Sequence, residues 1–296
     1  MLYSLYIILA GILWGIMGLF VRHLSAAYGL TSVQISAMRL FTAGIFFLAF
    51  AFFKDRKLLK VKPKDLILLV AMGLFAVVFM SATYFETINL TSLAVAAILL
   101  YTAPIIVMIA SIFLFKEKFT PKKALALILA FSGCVLVSGV ITGDANVTPY
   151  GIFMGFMSAL TYALYSILGK FALKKHQPLT VTAYAFTVGG LGSFIFATPA
   201  SFVPVFQSAE NVPVLILKLI ATGFFTAFLP FLFYTMGLKK TEAGKASVMA
   251  SVEPMVASLV GIFVLKEPTD IYSVIGILSI LAAIIILNIK DKSTEA

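Results

Sequence analysis

The sequence is poor in cysteine, histidine and charge. One cysteine, Cys134, and two histidines stand among 296 residues, so no intrachain disulfide is possible and no metal site is expected. Charged residues make up 11% of the chain, far below the roughly 25% of an average soluble domain. Hydrophobic residues make up 61% and leave no stretch long enough for a separate soluble domain. The composition predicts an integral membrane protein in contact with lipid, and nothing in it calls for a cofactor.

Lysine and arginine are absent from alternate loops. The net charge of +10 resides in short loops between apolar segments, as in membrane flanks, which argues against nucleic acid as a partner. Loops without Lys or Arg are 87–91, 142–148 and 201–212, whereas the basic groups fall at 54–64, 116–123, 170–175, 239–245 and 290–292. By the positive-inside rule this alternation predicts cytoplasmic termini in a multi-pass protein of the inner or plasma membrane.

Ten apolar segments are long enough to span the bilayer, which takes about 20 residues each. They lie near 4–22, 33–53, 66–86, 92–115, 121–141, 149–170, 180–199, 213–237, 243–265 and 270–289. The expected fold is an all-α membrane protein of ten transmembrane helices. Pro104 and Pro254 fall inside two of these segments and predict helix kinks, which membrane proteins tolerate where other groups bond the freed carbonyls.

The chain contains an internal duplication. Residues 84–117 correspond to 234–267 at a constant offset of 150, which aligns Tyr84 with Tyr234 and Pro104 with Pro254. Five spans per copy is an odd number, so the second copy should enter the membrane upside down. The sequence therefore predicts two inverted five-helix repeats, residues 4–141 and 149–289, around a central cavity. That architecture is typical of secondary transporters working by alternating access.

Short motifs recur in the same order in both copies. The first copy has Leu13-Trp14-Gly15, Arg39, Ala103-Pro104 and Phe115-Lys116-Glu117, and the second has Tyr162-Ala163-Leu164-Tyr165-Ser166, Glu253-Pro254 and Leu265-Lys266-Glu267. This arrangement resembles the EamA-type domain of the drug/metabolite transporter superfamily over essentially the whole chain. The resemblance implies ten helices around a central cavity and export of small metabolites such as amino acids.

Glu253 is the strongest functional candidate. It lies about halfway along segment 243–265, and its counterpart in the first copy is the neutral Ala103. A charge at that depth costs roughly 2.5–3.5 kcal/mol on insertion scales, so the carboxyl should face the cavity or carry a proton. It could couple transport to protons or bind an amine. The structural alternative is a protonated acid bonded to backbone groups freed by Pro254.

Arg39 has two interpretations. Its guanidinium could hold a substrate carboxylate through two hydrogen bonds. Alternatively, it could pair with Glu86, which lies at a similar depth at the end of the third segment. That ion pair would lock two helices together and would also suit an extracellular gate that breaks on opening.

Aromatic and hydroxyl side chains are candidates for the cavity wall. Ser158, Tyr162 and Tyr165 share one helical face by their spacing, and Trp14 is the counterpart of Tyr162 in the first copy. Tyr84, Tyr101 and Tyr234 are further candidates. The alternative for all of them is packing, with the hydroxyls bonded between helices.

Two features favour structural roles. The pairs Gly11/Gly15 and Gly151/Gly155 should allow close helix approach. Glu117 and Glu267 close equivalent helices, as a cap or an interface. Arg22 corresponds to Lys170 at an offset of 148.

Other functions fit the sequence less well. An intramembrane enzyme would need a catalytic motif such as H-E-x-x-H or G-x-S-x-G, which is absent. A channel has no need of an inverted duplication. A phosphate-ester or nucleotide-sugar exchanger is closer, but an anionic cargo calls for several cations and only Arg39 lies well inside a span. The expected cargo is a small neutral, zwitterionic or cationic molecule, and a homodimer is compatible with the sequence.

Overall fold

The computed structural model describes residues 2–140 and 148–289. Helices make up 84% of the chain, and the described residues contain no strand. Some of the predicted features lie outside the described residues. These are residue 141 at the end of the predicted span 121–141, residues 142–147 of the loop 142–148, and the basic residues Lys290 and Lys292.

The first half forms eight α-helices: α1 (Leu2–Gly15), α2 (Met17–Tyr28), α3 (Ser32–Lys54), α4 (Pro63–Gly73), α5 (Met80–Leu90), α6 (Leu93–Leu100), α7 (Ala103–Phe115) and α8 (Pro121–Val137). A π-helix, Leu74–Phe79, joins α4 to α5, and a 3-10 turn, Arg56–Leu59, follows α3.

The second half forms another eight: α9 (Pro149–Ala172), α10 (Pro178–Ser193), α11 (Val203–Ser208), α12 (Val212–Gly223), α13 (Leu229–Lys240), α14 (Ala243–Met249), α15 (Val252–Phe263) and α16 (Ile271–Asn288). A second π-helix, Phe224–Phe228, joins α12 to α13, and a 3-10 turn, Pro199–Phe202, precedes α11.

Eight helical stretches are long and apolar enough to cross a membrane: Leu2–Tyr28, Ser32–Lys54, Pro63–Leu90, Leu93–Phe115, Pro149–Ala172, Val212–Lys240, Ala243–Phe263 and Ile271–Asn288. Helix α8 has 17 residues and α10 has 16, just under the 18 required of the other eight. The structure thus supports a multi-pass membrane protein with eight candidate spans, and ten spans stays a prediction.

Polar side chains and prolines occupy the starts of several helices. The first N–H groups of a helix have no partner within it, so a capping side chain bonds them and a proline has no N–H to leave unbonded. Thr31 and Gln34 form a capping box at α3, and Pro121 and Pro213 occupy first-turn positions of α8 and α12, as their sequence positions suggested. Asp270 caps α16 by accepting from Ser273 N at 2.7 Å. Hydrogen bonds from the backbone and side chain of Ser273 hold the pKa of that carboxyl below its usual value.

Equivalent elements recur at the offset of 150. The two π-helices begin at Leu74 and Phe224. Lys116 and Lys266 both take left-handed backbone conformations, with φ of 55° and 57°. The N–H groups that follow them, on Glu117 and Glu267, bond back to equivalent carbonyls at 3.2 and 3.0 Å. The duplication read from the sequence therefore extends to details of local geometry.

Equivalent helices pack against one another. Helix α3 lies along α10, and α8 lies along α16. The contact of α1 with α13 has its counterpart in the contact of α5 with α9. These exchanged pairings are those expected when two similar halves face each other across one core.

The basic loops meet on one face of the bundle, called the basic face below. Lys175 pairs with Asp65 at 2.8 Å, Lys239 donates to Gln177 at 2.7 Å, and Lys123 pairs with Glu242 at 2.7 Å. At the opposite end of α3, Gln34 donates to the carbonyl of Ser201 at 2.8 Å. The loop 201–212, which has no Lys or Arg, therefore lies on the opposite face.

Candidate functional site

Glu253 lies at a break in a membrane helix. Helices α14 and α15 are separated at Ala250 and Ser251, and Glu253 occupies the first turn of α15. Its N–H bonds to the carbonyl of Ala250 at 3.0 Å, and Pro254 next to it has no N–H to donate. The equivalent break in the first half separates α6 from α7 at Tyr101 and Thr102, immediately before Ala103-Pro104. Both predicted kink prolines thus lie at interruptions.

Arg39 is a charged group within electrostatic reach of this carboxyl. It lies inside α3, and its guanidinium Nη1 contacts the sulfur of Met17 and the carbonyl of Thr226, the latter at 3.5 Å. Arg39 and Glu253 lie close enough to interact electrostatically. Both side chains are only half-buried, so each keeps surface toward open space. Two opposite charges inside a membrane protein are costly unless they compensate each other, yet among the ion pairs of the described residues Arg39 and Glu253 do not occur together.

Three of the candidate tyrosines interact electrostatically with Glu253. Tyr84 from α5, Tyr101 at the α6–α7 break and Tyr162 from α9 all lie within its electrostatic reach. All three are half-buried, like Glu253 itself. The structure therefore brings together one carboxyl, one guanidinium and three phenol hydroxyls, contributed by both halves of the chain.

The other predicted cavity residues are packed between helices. Trp14 is 6% exposed, with its ring 4.9 Å from that of Phe231. The hydroxyl of Tyr165 lies 3.0 Å from Thr235 Oγ1, and that of Tyr234 lies 2.6 Å from Ser166 Oγ. Ser158 is fully buried and donates to the carbonyl of Gly155 at 2.7 Å. In this conformation these four side chains take the packing arrangement.

Several residues near Glu253 were not predicted from the sequence to belong to the site. Cys134 is 1% exposed and lies within electrostatic reach of Glu253. Thr226, which accepts from Arg39, belongs to the π-helix Phe224–Phe228. π-helical turns are rare and occur often at functional sites. The only sequence signal for them is a glycine before each, Gly73 and Gly223, at the same offset of 150.

Helix α1 approaches α15 closely at Gly11 and Gly15. A Cβ built on Gly11 would lie 2.9 Å from Val252 Cβ, and one built on Gly15 would lie 2.8 Å from the carbonyl oxygen of Glu253. Side chains at these positions would push α1 away from the site. This contact gives a structural reason for the small-residue spacing in α1.

Glu86 lies apart from Arg39 in this structure. It lines a cavity of about 490 Å³ together with polar groups that include Ser36, Ser81 and Asn89. Among the ion pairs of the described residues, Arg39 and Glu86 do not occur together. A larger cavity of about 760 Å³ opens beside Lys54 and Lys239 at the basic face. Neither cavity includes Glu253.

Metal-binding chemistry finds no support in the described part of the chain. No group of three or more His, Cys, Asp or Glu side chains in residues 2–140 and 148–289 could hold a metal ion. The site offers one carboxylate, one guanidinium and hydroxyls, which suit hydrogen bonding and charge pairing with a small polar molecule.

Comparison with known sequences decides the family. The model of the EamA-like transporter family matches twice, over residues 1–139 and 149–289. The chain belongs to the EamA-like transporter family. This confirms the resemblance to the EamA-type domain of the drug/metabolite transporter superfamily.

Two of the following three relatives of this EamA-like chain are named transporters. An uncharacterized transporter of Archaeoglobus fulgidus is 34% identical over 280 residues, covering 95% of this chain and 94% of its own. The uncharacterized transporter YyaM of Bacillus subtilis is 27% identical, with 94% and 89% covered. A chloroplastic WAT1-related protein of Arabidopsis thaliana is 25% identical, with 87% and 63% covered. The protein is therefore a multi-pass membrane transporter.

A solved crystal structure shares the fold. It superposes with a TM-score of 0.80 at 18% sequence identity, covering 97% of this chain and 96% of the other.

Proposed function

We propose that this EamA-like protein exports small metabolites such as amino acids by alternating access across the cell membrane. Ten helices in two inverted halves would enclose the site, with both termini and the basic face in the cytoplasm. The contacts among the basic loops on one face support this orientation, because positively charged loops remain on the cytoplasmic side.

Inversion is supported by the positions of equivalent loops. The loop after α3 belongs to the basic face, where Leu58 and Leu59 accept from Thr180 and Tyr184 at 2.9 and 2.6 Å. Its counterpart after α10 lies on the opposite face, where Gln34 bonds to Ser201. Two halves with opposite orientation can exchange conformations and so expose one midplane site to either side in turn.

The proposed cargo rests on Arg39 and Glu253, two opposite charges within electrostatic reach of each other that are each half-buried and form no direct ion pair among the described residues. A zwitterion such as an amino acid presents a carboxylate and an ammonium group. Arg39 would bind the carboxylate through two hydrogen bonds, Glu253 would bind the ammonium, and the phenols of Tyr84, Tyr101 and Tyr162 would bond the remaining polar atoms.

Glu253 is also the proposed proton-coupling group. Its carboxyl can take up a proton in one conformation and release it in the other, because it is half-buried within a membrane helix and Arg39 is a cation within its electrostatic reach. Binding of cargo ammonium and binding of a proton at one carboxylate exclude each other, which would couple the two fluxes.

The pair of Arg39 and Glu86 is proposed as a gate in the other conformation. Here the guanidinium is held by Met17 and Thr226 instead. Closing the side opposite the basic face would have to bring α3 and α5 together at Glu86.

Uptake into proteoliposomes tests the proposal. A pool of amino acids, amines, organic acids and sugar phosphates is offered with and without a pH gradient, and internal contents are read by mass spectrometry. We expect zwitterions to accumulate with wild-type protein, to fall with Arg39→Gln, and to be unchanged with the exposed-loop control Arg56→Gln. Accumulation of sugar phosphates instead would favour a phosphate-ester exchanger and overturn the proposed cargo.

A further inference from the structure

At the basic face a glutamate binds across two helices. Glu117, just beyond α7, accepts from the backbone N–H of Ala243 at 2.6 Å and of Gly244 at 3.2 Å. These are the first N–H groups of α14, so Glu117 caps that helix from another element. The predicted cap role of Glu117 is confirmed.

A lysine holds the preceding helix at the same place. Lys170 Nζ donates to the carbonyl of Leu238 at 2.9 Å and to that of Thr241. Both carbonyls lie at the carboxyl end of α13, just before α14 begins. Lys170 also lies within electrostatic reach of Glu117. The cation and the acid therefore bind opposite sides of the α13–α14 junction.

The equivalent residues on the opposite face are arranged differently. Glu267 corresponds to Glu117 and Arg22 corresponds to Lys170, and here the two pair with each other at 2.6 Å. Helix α6, the counterpart of α14, is capped by its own Ser92, which accepts from Val95 N at 3.2 Å. Among the described residues, no side chain accepts from the N–H of Leu93 or Ala94, the positions equivalent to Ala243 and Gly244.

Burial differs between the two junctions in the same sense. Ala243 is fully buried, whereas its counterpart Leu93 is 64% exposed. Helix α7 packs along α14, with a Cβ built on Gly244 only 2.6 Å from Met108 Sδ. Between the described helices α6 and α15 there is no comparable packing. The junction on the basic face is thus shut and the opposite one is open.

We propose that these four residues form a reciprocal latch for alternating access, an inference that rests on the proposed transport cycle. On the shut side the glutamate caps the short helix and the cation binds the carbonyls before it. On the open side the glutamate and cation bind each other. When the conformation exchanges, Glu267 caps α6 and Arg22 binds the carbonyls at the end of α5, while Glu117 pairs with Lys170.

Such an exchange keeps every charge partnered in both conformations. On one side an ion pair is replaced by a helix cap, and on the other side a helix cap is replaced by an ion pair. The two conformations therefore stay close in free energy. At the α13–α14 junction there is also an ion pair, that of Lys123 with Glu242 at 2.7 Å. The corresponding positions on the opposite face are Ser273 and Ser92, so this pair favours the conformation that is shut on the basic face.

Cysteine labelling of purified full-length protein tests the latch. Ser247→Cys reports on the shut junction, where Ser247 is 3% exposed, and Ala97→Cys reports on the equivalent position across the repeat. With Glu117→Gln we expect labelling at 247 to quicken about tenfold, the shift expected from loss of a helix cap, and labelling at 97 to slow. Glu267→Gln should leave 247 protected and keep 97 reactive.

Two further variants keep the result interpretable. Glu242→Gln removes only the extra ion pair and should shift labelling in the same direction as Glu117→Gln, even if the latter folds poorly. Glu210→Gln, in an exposed loop, should change neither reporter. Cargo could change the labelling rates at 97 and 247 in opposite directions while Glu117→Gln and Glu242→Gln change neither rate. That result would overturn the latch but keep alternating access. Protection of 247 under every condition would overturn both.

Discussion

Replacing Gly15 by alanine should damage the site through the contact of α1 with α15. A Cβ on Gly15 would lie 2.6 Å from Val256 Cβ, and ordinary contact begins at 3.4 Å, so α1 must move by about 0.8 Å. Overpacking of this kind costs about 1–3 kcal/mol. Alanine also favours a helix by up to about 1 kcal/mol relative to glycine, which offsets part of that cost.

Gly18→Ala is the matched control because nothing lies within 4 Å of its built Cβ. Both variants gain a similar helix preference, so their difference isolates the steric cost. We expect the free energy of unfolding of Gly15→Ala, measured by denaturant titration in mixed micelles, to lie about 1–3 kcal/mol below that of Gly18→Ala. Transport should fall only in Gly15→Ala, because the displaced backbone carries Glu253. Equal stability and equal transport in the two variants would refute the reasoning.

Four other outcomes are expected. Glu253→Gln should abolish accumulation driven by a pH gradient in proteoliposomes yet retain cargo exchange at a raised KM, because the amide oxygen still accepts from the ammonium but takes up no proton. A wild-type pH dependence would eliminate the coupling role. Tyr165→Phe should lower the free energy of unfolding by about 1 kcal/mol with KM unchanged, because its hydroxyl bonds between helices; a changed KM with full stability would return it to the binding site. In sealed cells an impermeant maleimide should label Glu210→Cys but spare Lys60→Cys, and the reverse pattern would contradict the orientation. The cap bonds lower the pKa of Asp270. Its contribution to stability is therefore present above the unfolded-state pKa and is lost as pH falls through the folded-state pKa. Asp270→Ser should lack this loss of stability at acid pH in thermal melts taken from pH 7 to 3.

The sequence predicted what depends on local chemistry and on repetition. The duplication, the first-turn prolines, the cap at Glu117 and the close approach at Gly11 and Gly15 each follow from residue type and spacing. The breaks beside Pro104 and Pro254 follow from the missing proline N–H.

Relationships between distant helices could not be read in the same way. Apolar periodicity identifies a membrane helix, but in a chain apolar on most faces it does not select its neighbours. The sequence therefore offered Arg39 a substrate carboxylate or Glu86 as partner, and Glu253, on a distant helix, was not predicted as the carboxyl within its electrostatic reach. The sequence likewise did not show that the hydroxyls of Tyr165 and Tyr234 form hydrogen bonds between helices. The π-helices had no signal beyond a repeated glycine.

Counterflow with modified cargo tests the central claim most directly. The amino acid that the mixed pool identifies is compared with its amide, which lacks the carboxylate, and with its N-acetyl form, which lacks the ammonium. If Arg39 and Glu253 bind the two ends, wild-type protein should reject both derivatives. Arg39→Gln should then lose discrimination against the amide alone, and Glu253→Gln should lose discrimination against the N-acetyl form alone. Unchanged discrimination in both variants would contradict the assignment of these residues to the cargo site.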